Sequence, residues 1–162
     1  VTHSIAEKMK ADTKMINWTI KRFEELSVTE LYDILNLRSE VFVIEQDCIY
    51  QDMDYADQKA LHLMGKAEEK LMAYARIFAP NIKYIEASIG RVVTQPAYRN
   101  IGLGKVLMDN AISYCLENFP KHHIRISAQC YLEKFYQNLG FEIVSAVYQE
   151  DGIDHQEMLY KS

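Results

Sequence analysis

The sequence is short of cysteine, proline, glycine and basic charge, and each shortage excludes something. Its three cysteines, Cys48, Cys115 and Cys130, cannot all pair and show no Cys-x-x-Cys spacing, so a reducing, cytoplasmic setting fits best. Three prolines and six glycines are scattered as punctuation, and no linker, repeat or low-complexity tract divides the chain. In 162 residues that leaves one compact domain, from residue 15 to residue 162. Lysine and arginine number 18 against 23 acidic side chains, a net charge of -5. With no basic excess to neutralise phosphates, nucleic acid is not expected as a partner, whereas a cationic substrate is compatible. No apolar run approaches bilayer-spanning length, so no membrane segment is expected. Residues 1–14, VTHSIAEKMKADTK, lack both an apolar stretch and a cleavage-site pattern. They read as a disordered leader or cloning remnant, not a signal peptide.

What is present alternates between strand and helix periods. INWTIKRF (16–23) reads as a strand. Ser27 and Glu30 form a capping-box pattern ahead of a helix with an apolar face of Val28, Leu31, Leu35 and Phe42, with Ile34 and Val41 beside them, to about residue 44. Residues 45–59 show neither period. ALHLMGK and KLMAYARIFA read as a hairpin turning at 67–69, and ASIGRVVT (87–94) as a fourth strand ended by Pro96. A helix runs from Gly102 to Pro120, HIRISAQ (123–129) is a strand, and YLEKFYQNLG (131–140) is a short helix ended by Gly140. FEIVSAVYQ (141–149) and DHQEMLYK (154–161) are the last two strands. This order predicts an α/β fold whose mixed sheet is mostly antiparallel, with a parallel pair flanking the helix that starts at Gly102.

Gly102 and Gly104 stand where that helix begins, although glycine is a poor helix former. A helix N-terminus gathers unpaired N–H groups and the positive end of the dipole, so it suits a phosphate or pyrophosphate. Glycine lets an anion touch the backbone there, and Arg99 adds a charged donor. The alternative is that the glycines only permit a tight turn and close packing. A Walker loop is excluded, because Arg99 stands at its first glycine and Val106 at its Ser/Thr. A dinucleotide fingerprint is excluded by Leu107 at its third glycine.

The remaining pattern, Arg99-Asn100-Ile101-Gly102-Leu103-Gly104, resembles the acyl-coenzyme-A-binding motif of the GNAT superfamily of N-acyltransferases. The element order from about residue 16 to 160 matches as well. LRSEVFVIEQDCIYQDMD (37–54), SAQCYLEKFYQNLGF (127–141) and VYQEDGIDHQEM (147–158) are similar to the ElaA-like branch of that superfamily. Lys105 follows the branch spelling, and Thr94 departs from its usual valine. The resemblance implies that the fourth and fifth strands splay into a V-shaped cleft for acetyl-CoA. Main-chain groups of Val92, Val93 and Thr94 would pair with the pantetheine arm. Amides from Arg99 to Gly104 would hold the pyrophosphate. Gln129 aligns where members commonly place an asparagine on the coenzyme, and Tyr136 with a general-acid tyrosine. A phenol can hydrogen-bond or protonate a leaving thiolate. The same spacing fits a half-buried core tyrosine, and Val92 and Val93 fit a plain core strand.

The attacking amine must also lose a proton, and Glu86, Glu45, His62 or a water chain could take it. The 40–57 segment carries Glu40, Glu45, Asp47, Asp52, Asp54 and Asp57 with no basic residue between them. It reads either as a solvated loop or as a cleft wall attracting a cationic amine. Its spacing is not that of a calcium loop, and no metal site is expected. Arg38, Arg76 and Arg91 sit near apolar neighbours and need acidic partners. Arg91 could meet an acid of the 45–57 loop or bind a substrate carboxylate. Cys130 could act as a nucleophile, but nothing places a histidine beside it. The expectation is an N-acetyltransferase acting by direct attack of a primary amine, from a small molecule or a peptide. A non-catalytic acyl-CoA sensor on the same fold is the alternative. The last strands could pair two subunits in a homodimer.

Overall fold

The computed structural model describes Ser4, Ile5, Glu7 and residues 15–162; most of the expected leader at 1–14 lies outside the described residues. Strand β1 is Asn17–Arg22. Helix α1, Val28–Arg38, is opened by Ser27, whose hydroxyl accepts the Glu30 N–H at 3.0 Å while the Glu30 carboxylate accepts the Ser27 N–H at 2.9 Å. Two strands then form a hairpin, β2 (Leu61–Ala67) and β3 (Lys70–Phe78), turning on Glu68 and Glu69 at φ 48° and 67°. Both φ values are positive, as the twist-matched two-residue turn requires. Strand β4 is Ala87–Thr94, helix α2 is Leu103–Asn118, β5 is Ile124–Gln129 and α3 is Glu133–Asn138. Strands β6 (Phe141–Ile143), β7 (Tyr148–Glu150) and β8 (Ile153–Tyr160) complete the described elements.

The sheet runs β1-β2-β3-β4-β5-β8-β6, with β7 also on β8. All its pairs are antiparallel except β4 with β5. The expected mixed sheet with one parallel pair is therefore present. On one face, Leu103, Leu107, Met108 and Ala111 of α2 pack on Ala75, Ile89, Ile124 and Ile126. On the other, Ile34 and Leu37 of α1 pack on Met64, Tyr74 and Val93.

Three local expectations need correction. After Arg38 the α1 chain continues as a π-helix, Ser39–Glu45, closed by i to i+5 bonds from Gln46 to Val41 and Cys48 to Val43. The wider turn takes Ile44 off the apolar face and into solvent. The buried stripe is Ile34, Leu37 and Val41, and Val28 is 86% exposed. The expected strand 141–149 is two strands, because the Ser145 hydroxyl takes the Glu157 N–H at 2.8 Å and interrupts the ladder.

Glu30 also ties α1 to the sheet, accepting Lys21 at 2.9 Å and Lys66 at 2.7 Å. Burial alone would raise its carboxyl, but the bonds from Lys66, the Ser27 amide and Lys21 outweigh it and bring it down to about 2. A depressed carboxyl contributes stability above its unfolded value and loses it as pH falls towards the folded one. Urea unfolding at pH 5.5 and pH 2.5 should show a pH-dependent loss, and Glu30→Gln should shrink it by about 2 kcal/mol. An unchanged loss in the variant would contradict the assignment.

Candidate active site

Strands β4 and β5 pair only at Ala87 with Ile124 and at Ser88 with Arg125. Beyond that point they separate. The cause is visible in β4: Tyr74 and Arg76 of β3 oppose Val93 and Gly90, so the extra residue bulges, with Arg91 at φ 49°. From Gly90 to Thr94 the edge of β4 that faces β5 has no strand partner, so its N–H and C=O groups face open space. A cavity of about 940 Å³ fills the gap. Val92, Val93 and Thr94 form one wall, Ser127 and Gln129 of β5 the other, and Tyr136, Arg99 and Glu45 line it as well.

The loop after β4 runs to the start of α2. Gly102 caps the helix at φ 82°, with no side chain in a capping role. The first bond of the helix is from the Val106 N–H to the Gly102 carbonyl at 3.2 Å, so the N–H groups of Leu103, Gly104 and Lys105 have no intrahelical acceptor. Asn100, at φ 65°, bends the loop ahead of them. The two glycines prove different in kind. Gly102 is required by its left-handed backbone, whereas Gly104 is helical. A Cβ on Gly104 would meet nothing closer than the Phe135 ring at 3.7 Å. Close packing inside the protein therefore does not explain Gly104, whose N–H stands among the unsatisfied amides.

Arg99 lines the cavity and pairs with Glu45 at 2.6 Å, while Asn100 to Lys105 lie beyond the cavity lining. Leu103 turns its side chain into the core, Ile101 packs against that core, and Lys105 pairs with Asp109 at 2.7 Å. What this loop can offer an anion is thus mainly its amides and Arg99. Gln46, from the end of the π-helix, exchanges bonds with Gln129 across the gap at 3.2 and 3.3 Å.

Tyr136 of α3 is 6% exposed and sits edge-on to Phe135 and Phe141, with centroids 5.1 and 5.9 Å away. Its hydroxyl has no bond to any group among the described residues, although the side chain lines the cavity. Burial, and then the neighbouring Tyr131, push its phenol up, so it stays protonated.

The acidic loop is not the anionic wall that the sequence allowed. Asp52 bonds Arg38 at 2.8 Å and Arg91 at 2.7 Å, Asp57 bonds Arg38 at 2.8 Å and Arg76 at 2.9 Å, and Asp54 bonds Arg76 at 2.8 Å. Three carboxylates are matched by three guanidinium groups. Arg38, fully buried, and Asp52 do not line the cavity, which corrects their assignment to substrate contact; Arg91 and Asp54 do line it. His62 is likewise no cleft residue. It is fully buried, with Nδ1 2.7 Å from the Tyr74 hydroxyl and Nε2 2.9 Å from the Asp57 carbonyl. Burial, above all, pushes its imidazole down. Alternation gave the strand face of His62 correctly, but not that α1 and the loop would cover that face.

Two other expected bases are occupied: Glu86 pairs with Arg125 at 3.0 Å, and Glu45 with Arg99. Burial pushes the Cys130 thiol up, helped by Asp154 and Glu133, which opposes a nucleophilic role. Among the described residues no group of three or more His, Cys, Asp or Glu could hold a metal ion, and no helix is long and apolar enough to cross a membrane. Sequence reasoning missed Glu150 and His155, which also line the cavity. Their alternation along the last hairpin was readable, but which face of that hairpin borders the cleft was not.

Comparison with known proteins agrees with this geometry. Residues 24–162 match the family model described as an acetyltransferase (GNAT) domain. A UPF0039 protein of Synechocystis is 40% identical over 147 residues, covering 90% of this chain and 96% of that protein. The crystal structure of Escherichia coli ElaA superposes with a TM-score of 0.85 at 39% identity, covering 91% of this chain and 100% of that one. An acyl-CoA N-acyltransferase from Pseudomonas aeruginosa superposes with a TM-score of 0.86 at 38% identity, covering 90% and 99%.

Proposed function

The chain belongs to the GNAT acetyltransferase family, and on that premise we propose that it transfers an acetyl group from acetyl-CoA to a primary amine held in the same cleft. The observation that carries the reading is the separation of β4 from β5 beside a helix start whose Gly104 has no packing reason to be glycine. An extended arm with amide bonds can pair with the free edge of Val92 to Thr94 as an added strand does. The unsatisfied N–H groups at Leu103 to Lys105, with Arg99, suit a diphosphate. The residues present therefore fit acetyl-CoA as cosubstrate. Holding it and the acceptor together supplies much of the rate by proximity.

Tyr136 is the group we assign to the leaving sulfur. Its phenol stays protonated and its hydroxyl has no partner among the described residues, so the O–H is available to hydrogen-bond the sulfur as negative charge develops. Tyr136→Phe should lower kcat about 100-fold, at the low end for loss of an acid catalyst, while the Kd for acetyl-CoA changes less than about 3-fold. Thiol release in single-turnover experiments checks this, and an unchanged kcat would remove the role. Calorimetric titration with acetyl-CoA tests the reading itself: saturable 1:1 binding is expected. A protein that binds but releases thiol to no amine would instead be an acyl-CoA sensor.

The acceptor is not assigned as a cation on the strength of the 40–57 acids, since Asp52, Asp54 and Asp57 are neutralised by arginine. The cavity wall carries both signs, with Arg91, Lys83 and Lys59 alongside Glu150 and Asp151.

A further inference from the structure

We propose that His155 is the base that takes the proton from the acceptor ammonium, with Glu150 as its positioning residue; this rests on the acyl-transfer reading above. His155 lies on β8, opposite Gln129 of β5 on one side and Tyr148 of β7 on the other. Its Nδ1 is 2.7 Å from the Ile153 carbonyl. A carbonyl oxygen can only accept, so Nδ1 carries a hydrogen, and in the neutral ring Nε2 keeps the lone pair. Nε2 lies 3.4 Å from a Glu150 carboxylate oxygen, which would meet the imidazolium formed when Nε2 takes a proton. The Tyr148 ring stacks on the imidazole at 6.2 Å, and the Tyr148 hydroxyl bonds Ser127, whose own hydroxyl reaches Glu150 at 3.3 Å. The tautomer, the ring plane and the counter-charge are all fixed by neighbours.

His155, Glu150, Ser127 and Gln129 line the same cavity as Tyr136. The other bases that the sequence offered are occupied elsewhere, Glu86 and Glu45 by arginines and His62 by a buried pair of bonds. Other charges near His155 are Asp154 beside it on β8, the Arg125–Glu157 pair, two residues along β8 with its partner on β5, and Lys83 and Asp151 in the cavity wall. Chemically, the ammonium passes a proton to Nε2, and the freed lone pair bonds to the thioester carbonyl carbon. The C–S bond breaks and sulfur leaves with its electron pair. The nitrogen sheds two protons per turnover, one matched by the proton that sulfur gains and one released to solvent through His155.

The test compares two amines of similar shape. Ethylamine is charged at pH 7, whereas 2,2,2-trifluoroethylamine, whose fluorines withdraw electrons, is neutral and needs no base before attack. In His155→Gln, kcat/KM for thiol release from acetyl-CoA should fall about 100-fold with ethylamine and less than about 5-fold with the fluorinated amine. A misfolded variant would lose both, so the difference is not a folding effect. Glu150 is half-exposed, and Glu150→Gln should fold normally yet lower kcat/KM with ethylamine several-fold more than with the fluorinated amine. Equal losses with both amines in either variant overturn the assignment of His155 and leave acyl transfer standing. No thiol release by the unaltered protein with either amine overturns the acyl-transfer reading, and this assignment with it.

Discussion

Gly104→Asp should abolish measurable acetyl-CoA binding while leaving the fold intact or more stable. The two halves of this result have separate causes. Gly104 is the second residue of α2, where glycine costs about 1 kcal/mol against alanine and a carboxylate favours the positive end of the helix dipole. A Cβ there has room, with the Phe135 ring at 3.7 Å as the nearest atom. The thermal midpoint should therefore hold or rise. Binding should suffer because the carboxylate would occupy the space in front of the amides of Leu103 to Lys105 and repel an incoming diphosphate. One like charge at about 4 Å costs roughly 4 kcal/mol at an effective dielectric constant near 20, or about 10³ in Kd. Calorimetry beside a thermal melt reads both halves. Unchanged affinity would falsify the anion-site assignment, whereas a collapsed melt would mean that Gly104 is structural after all. Gly102 is the poorer probe, since its φ of 82° strains any other residue before a ligand arrives.

Asp57→Ala should cost about 3–5 kcal/mol of stability. The Asp57 oxygen accepts from Arg38 at 2.8 Å and Arg76 at 2.9 Å, and both guanidinium groups are buried. Burial opposes its charge, but the bonds from Arg38 and Arg76 outweigh that and hold the carboxyl low. Removing it leaves two buried cations each short of a partner. For a domain whose whole stability is about 5–15 kcal/mol, that is a large share. The urea midpoint should fall steeply at pH 7, and Asp57→Asn, which keeps one acceptor oxygen, should fall less. A shift below about 1 kcal/mol would show that the arginines find other partners. The same network of ion pairs reaches the cleft wall through Asp52 and Arg91, so a partly folded Asp57→Ala protein should also bind acetyl-CoA more weakly.

The features legible in the sequence were those whose causes are local. Ser27 and Glu30 cap each other through bonds three residues apart, and Glu68 and Glu69 turn a hairpin between two apolar runs. The parallel pair follows from helix α2 carrying the chain back across the sheet between β4 and β5. The glycines at α2 stand out in sequence, but only the fold separates Gly102, fixed by its left-handed backbone, from Gly104, which is helical with room for a Cβ. Pairings between distant segments were not legible. The sequence showed that Arg38, Arg76 and Arg91 needed acids and that the 45–57 loop had them. It could not show that the loop folds over those arginines and uses up the negative charge of Asp52, Asp54 and Asp57. Nor does any spacing announce the π-helix at Ser39–Glu45, whose bonds run from Gln46 to Val41 and from Cys48 to Val43. His62 and His155 make the sharpest contrast. Both alternate on strands, and only the layer above each strand decides that the first is sealed in and the second faces the cleft.

The most direct measurement is a titration of ¹⁵N-labelled protein with acetyl-CoA, read at the backbone amides. The largest shifts should fall in two groups: Val92 to Thr94 along the free edge of β4, and Gly102 to Lys105 at the start of α2. Shifts that cluster elsewhere, or none at saturating ligand, would contradict the claim that bare main-chain groups between the splayed strands hold the coenzyme.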